Sequence, residues 1–297
     1  MVTEATRVDE TTERGAPAEL GAGLDAQLDA VVDLLAHGNV LALTGAGIST
    51  ESGIPDYRGP DGKRRVTPMQ FSEFVASSEA RQRYWARSYV GWQRFNLARP
   101  NAGHEAVARL QRSGHLGPVI TQNVDGLHQE AGAHEVTELH GALARVVCLT
   151  CGDRSSRWDL DERMRVSNPS FEVTSNEIRP DGDIALNDLD VLGFTVPLCL
   201  VCNHDTLKPD VVFFGESVPK PLVEHCFQLT EDADVLLVLG SSLKVMSGYR
   251  FVRRAAARGI PVVIITRGPT RGDAEASVQV DASLGPTLSA LVSRLGA

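Results

Sequence analysis

At 297 residues, 42% hydrophobic and with a formal net charge of −9, the chain is long enough for one sizeable core plus a smaller module, because single cores stop growing near about 250–300 residues. That charge gives little attraction for DNA or anionic lipid, and the sequence holds no run of about eighteen apolar residues for a membrane span. The N-terminus lacks the basic-then-apolar pattern of a secretory signal and is acidic, unlike a mitochondrial presequence, so a soluble, unsecreted, cytoplasmic protein is expected; a monomer is expected as well.

Residues 1–23 carry hardly any bulky apolar side chains and predict a disordered tail. From Leu24 the apolar positions Leu28, Val31 and Leu35 recur at helical spacing, and Gly38 is placed to end that helix. The run Val40 to Leu43 then stops abruptly at Thr44-Gly45-Ala46-Gly47, as a buried parallel strand ending in a glycine turn does. Four later segments repeat the pattern: Val119-Ile120 before Thr121-Gln122-Asn123, Val235 to Leu239 before Gly240-Ser241-Ser242, Val262 to Ile265 before Thr266-Arg267-Gly268, and Val278 to Val280 before Asp281. Helix-like stretches at 105–112, 249–258 and 286–295 lie between or after them. Alternating strands and helices predict an α/β fold with a doubly wound parallel sheet, whose ligands bind beyond the carboxyl ends of the strands. All five polar clusters fall at such ends.

Two stretches break the alternation. Residues 57–100, with the aromatic-rich segment from Arg81 to Trp92, predict a helical insertion. Residues 141–206 are polar, hold four of the five cysteines and have too few apolar residues for a core of their own. The expected division is a Rossmann-like domain over 24–56, 101–140 and 207–297, with the helical insertion and a module at 141–206 forming a smaller domain.

The cysteines say how that module is held. Cys148-x-x-Cys151 and Cys199-x-x-Cys202 are two knuckles of the kind that converge four thiolates on zinc. A redox pair explains one knuckle but not both. With every position filled by cysteine, the metal keeps no open site for water and serves the fold rather than the chemistry. Cys226 stands outside any pair and reads as a small buried apolar residue. Of the 29 basic residues only Lys63, Lys208, Lys220 and Lys244 are lysines.

Gly45-Ala46-Gly47 after a strand is half of a dinucleotide fingerprint, but position 50 is Thr where the third glycine belongs. An ordinary strand-to-helix turn fits so short a pattern equally well. A dehydrogenase is disfavoured, since no second strand ends in Asp or Glu about twenty residues on.

The longer blocks go further. Gly45 through Gly59, Thr121 through His128, Glu138-Leu139-His140-Gly141, both knuckles, Leu207 through Glu216 and Gly240 through Val245 resemble, in order, the signature blocks of the sirtuin (Sir2) family. Tyr57, the segment from Arg81 to Trp92, Pro180 through Ile184, Ser247 through Phe251 and Gly268 through Arg271 are most similar to class II. That branch includes a mitochondrial sirtuin associated with lipoamidase and ADP-ribosyl transfer, and bacterial deacetylases. The resemblance implies an NAD-dependent lysine deacylase with NAD as co-substrate, a structural Zn2+, and acylated-lysine proteins or peptides as partners, with neither nucleic acid nor membrane.

The resemblance also implies roles. Gly45, Ala46, Gly47, Gly240, Ser241 and Ser242 hold phosphate and ribose, with Arg58 adding positive charge; Thr266, Arg267 and Gly268 line the adenosine end; Glu51, Val124 and Leu284 complete the nucleotide contacts. Ile54 and Asp56 clamp the nicotinamide carboxamide beside Tyr57, which stands where most members carry Phe. Gln122, Asn123 and Asp125 surround the ribose, and His140 is the general base, its ordinary pKa of about 6.5 lying near working pH. Val212, Phe213, Phe214, Gly215 and Glu216 form one wall of the acyl-peptide groove, and Leu243 and Val245 the other. The pattern Tyr84-x-x-Arg87 is a weak match to that of desuccinylating members, and Ser247 replaces the Pro that many members carry. Two other uses of the site stay open: ADP-ribosyl transfer or lipoamidase activity, and a catalytically silent NAD sensor or scaffold.

Overall fold

The computed structural model describes residues 22–36, 38–59, 63–186 and 191–297. The expected tail therefore falls outside the described residues, except for its last two, which open the first helix. That helix, α1 (Ala22–Leu35), leads into β1 (Val40–Thr44) and a 3-10 turn (Ala46–Ser52). After α2 (Phe71–Ala76) and α3 (Ser78–Phe95) come α4 (Ala102–Arg112), β2 (Val119–Thr121), α5 (Leu127–Glu130) and β3 (Val136–Glu138). The small module contributes β4 (Gly141–Cys148), β5 (Arg154–Ser156), α6 (Arg157–Ser167) and β6 (Leu207–Val211). The chain closes with α7 (Lys220–Glu231), β7 (Val235–Leu239), α8 (Met246–Ala257), β8 (Val262–Ile265), β9 (Val278–Val280) and α9 (Leu284–Leu295).

Six strands pair in parallel in the order β3-β2-β1-β7-β8-β9. This is the Rossmann-like order, and its reversal between β1 and β7 opens the crevice where such sheets bind ligands. The apolar runs are continuous because both faces are covered. Val40 and Ala42 of β1, with Val235, Leu237 and Leu239 of β7, pack toward α1, α4 and α9. Leu41 and Leu43, with Leu236 and Val238, face α7 and α8 on the other side. Cys226 of α7 is fully buried among them.

A three-stranded antiparallel sheet, β5-β4-β6, forms the small module. Its strand β6 continues past residue 206, with Leu207 paired to Cys148 and Val211 to Gly141 in the module's sheet. The module and the helical insertion share one core, in which Tyr84, Trp85 and Tyr89 of α3 meet Val146, Leu160, Phe194 and Cys199. Trp85 Nε1 donates to the Leu207 carbonyl at 2.8 Å, and the buried Arg157 guanidinium sits 4.9 Å from the Trp85 ring centroid. α3 therefore supplies the aromatic half of a core that the polar module lacks. Among the described residues no helix is long and apolar enough to cross a membrane.

Candidate active site

The strand ends converge on a cavity of about 840 Å³ at the β1–β7 crevice. The glycine turn brings the two halves of its floor into contact: Gly45 N donates to the Leu239 carbonyl at 3.0 Å, and Gly47 N to the Gly240 carbonyl at 2.8 Å. A Cβ on Gly47 would lie 2.7 Å from the Gly240 oxygen, closer than any side chain tolerates, so this approach demands glycine. Gln122, at the end of β2, ties the seam together through Nε2, which donates to the Thr44 carbonyl at 3.1 Å and the Ser241 hydroxyl at 2.9 Å.

His140 sits at the turn into β4, on the far wall. Gly141, at φ +77, has room for no Cβ: one would lie 2.0 Å from the Asp210 oxygen. The close crossing of β4 over β6 therefore starts one residue after the imidazole. The backbone carbonyl of His140 accepts from Val212 N at 2.8 Å, joining the imidazole's segment to the Val212–Glu216 wall. Its Nδ1 lies 2.8 Å from the Gln122 carbonyl and its Nε2 2.8 Å from the Ser247 hydroxyl. A carbonyl only accepts, so Nδ1 carries the proton and Nε2 presents a lone pair, to which Ser247 donates. Burial pushes the His140 pKa below its ordinary value, the Gln122 carbonyl opposes that, and the nearby Arg250 adds to it. The imidazole is held neutral, the form a general base needs.

Behind the cavity lies a buried polar network. Ser49 Oγ donates to Asp125 at 2.7 Å and accepts from Asn123 Nδ2 at 3.0 Å, while Asn123 Nδ2 also reaches the Gly45 carbonyl at 3.1 Å. Asp125 takes a second bond from Leu127 N at 3.0 Å, yet burial still raises its pKa. Thr44 joins Thr121 at 2.9 Å and His128 at 3.0 Å, and the His104 and His128 rings meet edge-on with centroids 5.0 Å apart. Burial pushes His104 down to about 4 and His128 to about 3, the latter helped by His104.

On the opposite wall, Phe213 N donates to Glu216 at 2.8 Å, and Glu216 pairs with the buried Lys208 at 3.0 Å. Tyr57 packs edge-on against Phe214 with centroids 5.6 Å apart, and Asp56, its pKa raised by burial, pairs with Arg65 at 3.3 Å.

Most residues singled out in the sequence line this one cavity: Gly45, Ala46, Gly47, Ile54, Asp56, Tyr57, Arg58, Gln122 through Asp125, His140, Val212 through Glu216, Gly240 through Leu243, Val245, Thr266 and Arg267. Three expected nucleotide contacts do not. Glu51 is turned to the N-terminus of α9, where its carboxylate accepts from Gly285 N at 3.0 Å. Leu284 is buried in the core beneath Gly240, and Gly268 N donates to Asp281 at 3.1 Å. Ser49, Tyr84, Asp181 and Ser247 line the cavity without having been singled out as site residues. Arg87 is committed to Asp183 at 3.0 Å and to the Ile184 carbonyl at 2.6 Å, leaving Tyr84 as the member of that pattern at the cavity.

The four cysteines also converge. Their sulfurs all lie within 4.8 Å of one another, with Cys148 and Cys202 3.5 Å apart and Cys151 and Cys199 3.7 Å apart. Disulfide sulfurs sit at about 2.05 Å. Four ligands on a tetrahedron with zinc–sulfur bonds of about 2.3 Å stand about 3.8 Å apart, so the cluster fits zinc.

Comparison with known proteins agrees with this geometry. Residues 45–247 match the Sir2 family model. The chain is 57% identical over 267 residues to NAD-dependent protein deacetylase 1 of Streptomyces coelicolor, covering 90% of this chain and 89% of that one. It is 47% identical over 253 residues to the mitochondrial NAD-dependent protein lipoamidase sirtuin-4 of Bos taurus, covering 84% and 80%. Among solved structures, a Sir2 complex with a p53 peptide and NAD+ superposes with a TM-score of 0.73 at 30% identity, covering 91% and 98%. A Sir2 structure bound to a propionylated peptide gives 0.71 at 29% identity, covering 91% and 98%.

Proposed function

The chain belongs to the Sir2 family, and from that premise we propose how its residues divide the work of an NAD-dependent protein lysine deacylase. The enzyme moves the acyl group of a modified lysine to ADP-ribose, consuming one water and releasing nicotinamide and the free lysine amine. The observation that carries the residue assignment is the unprotonated Nε2 of a neutral His140, which accepts from the Ser247 hydroxyl at a cavity shared by the glycine turn and the Val212–Glu216 wall.

NAD, the co-substrate, supplies the ribose carbon that the acyl oxygen attacks and the 2′-hydroxyl that finally takes the acyl group. The glycine turn and Ser241–Ser242 let the pyrophosphate approach backbone N–H groups, with Arg58 as counter-charge. Ile54 and Asp56 hold the carboxamide, and Tyr57 keeps water from the reacting carbon. Asn123 and Asp125, locked by Ser49, orient the ribose. His140 accepts the proton of the ribose hydroxyl at Nε2, displacing the Ser247 hydroxyl that occupies that lone pair. The acylated peptide lies extended between Val212–Glu216 and Leu243–Val245, its lysine N–H meeting the Val212 carbonyl.

The four cysteines hold a structural Zn2+. The Rossmann-like domain comprises 24–56, 101–140 and 212–297, and the smaller domain 57–100 with 141–211. The protein acts as a monomer in the cytoplasm without a nucleic-acid partner, in keeping with its charge of −9. Neither the ADP-ribosyltransferase nor the silent-sensor alternative has an observation of its own in its favour. A panel of acetyl-, longer aliphatic and lipoyl-lysine peptides with NAD, read by mass, is the test. Free lysine with O-acyl-ADP-ribose supports the reading, and ADP-ribose attached to protein, or no NAD turnover with any peptide, overturns it.

A further inference from the structure

The outer stretch of the cavity lies between the N-terminal turns of α7 and α8. Lys220, Val223 and Glu224 line it from α7, Met246, Ser247 and Arg250 from α8, and Lys244 from the wall proposed for the peptide. Lys220 and Lys244 are exposed and Arg250 half-buried. Among the described residues, none of these three cations has a carboxylate within ion-pair distance. Two of the four lysines in the whole chain thus stand at one short groove.

The helices sharpen the point. Both are 12 residues long, neither has an acidic residue in its first turn, and neither is capped by a side chain. A helix N-terminus carries about half a positive charge, and acids are its usual first-turn residues. Here α7 instead places Lys220 at its first position, and Arg250 projects from the second turn of α8. Each is an unfavourable local choice that a negatively charged occupant would offset. Of the acids lining the cavity among the described residues, Glu224 lies one turn on from Lys220 and Glu216 is already neutralised by Lys208 at 3.0 Å, while Asp56, Asp125 and Asp181 come from other elements than α7 and α8.

We propose that the peptide groove selects acylated lysines flanked by aspartate or glutamate, with Lys220, Lys244, Arg250 and the two helix N-termini as the recognition surface. This rests on the deacylase reading and specifies its substrate class. The net charge of −9 does not cancel the effect, because at physiological salt the Debye length of about 8 Å screens the distant acids while groups in contact are screened far less. Rim charges of this kind act on encounter and KM more than on the chemical step.

The test compares two acetyl-lysine peptides, identical except for Asp/Glu or Lys/Arg at the flanking positions, with saturating NAD at 0.15 M and 0.5 M salt. We expect kcat/KM to favour the acidic peptide by about tenfold at the lower salt, mostly through KM, shrinking several-fold at the higher. Double substitution Lys220→Glu with Lys244→Glu should reverse the preference, with zinc content and melting temperature checking that the variant is folded. Equal rates for the two peptides, or a preference for the basic one, in the unmodified protein overturns the proposal and leaves deacylation standing. Absence of nicotinamide release with either peptide overturns both.

Discussion

The ends of the parallel sheet and the cysteine module put residues in place by opposite means. At the sheet, Gly45, Gln122, Gly240 and Thr266 are fixed because each ends a strand whose alternate faces are buried under helices, so a large shared core sets their positions. The module has a three-stranded sheet and shares its aromatic core with α3, and its two knuckles converge at four sulfurs. One half of the site is held by burial and the other by ligation and by packing against α3. His140 stands at the join, its imidazole bonded to the sheet side at Gln122 and its carbonyl to the module side at Val212.

The comparison is broken most sharply by taking the metal away. Structural zinc contributes about 10–16 kcal/mol in small metal-dependent modules. Chelation, or Cys199→Ala, should abolish deacylation and expose amides of β4, β5 and α6 to hydrogen exchange, while amides of β1 and β7 stay protected. Uniform loss of protection across both regions would show that the sheet depends on the metal as well.

Acid should act on the other half. His104 and His128 are neutral in the folded protein, pushed down to about 4 and about 3, whereas in the unfolded chain they titrate near about 6.5. Below about pH 6.5 the unfolded state binds protons that the folded state does not, so stability is fully present above that value and falls as pH drops. The expected slope is about 1.4 kcal/mol per pH unit for each histidine down to about pH 4. Denaturant titrations of a His128→Asn variant should show a shallower slope over this window; an unchanged slope would remove His128 from the account.

The smallest effect is local to the seam. Gly47→Ala places a methyl 2.7 Å from the Gly240 oxygen and 2.8 Å from its Cα. Overpacking of this order costs about 1–3 kcal/mol, and calorimetry should find it in both melting temperature and NAD affinity. Unaltered NAD binding would mean that the turn does not carry the pyrophosphate.

The same contrast explains what could be read from the sequence. Strands β1, β7 and β8 were legible because fully buried strands are uninterrupted apolar runs, and the knuckles because thiolate spacing is a short-range code. β3 was not: Val136-Thr137-Glu138 is half-buried and polar, and its pairing comes from β2 rather than from its own pattern. The pairing of β6 with β4 beyond residue 206 was not legible either, because Leu207-Lys208-Pro209-Asp210-Val211 carries no strand pattern of its own. Ser49 lay inside a block already singled out, but its bonds to Asn123 and Asp125 span more than seventy residues and leave no local trace. The bond from Gly285 N to the Glu51 carboxylate spans 234 residues, and nothing near Glu51 in the chain announces it. Ser247 stood out as a departure from the family pattern, and its hydroxyl proves to face the imidazole at 2.8 Å.

Removing that imidazole tests the account most directly. His140→Ala should bind NAD and melt like the unmodified protein, since the side chain is only half-buried and contributes little to either core. Its yield of deacylated peptide and O-acyl-ADP-ribose, measured by mass under single-turnover conditions, should fall by about 10²–10⁴-fold. Full product yield from that folded, NAD-bound variant would contradict the role of His140 as the base.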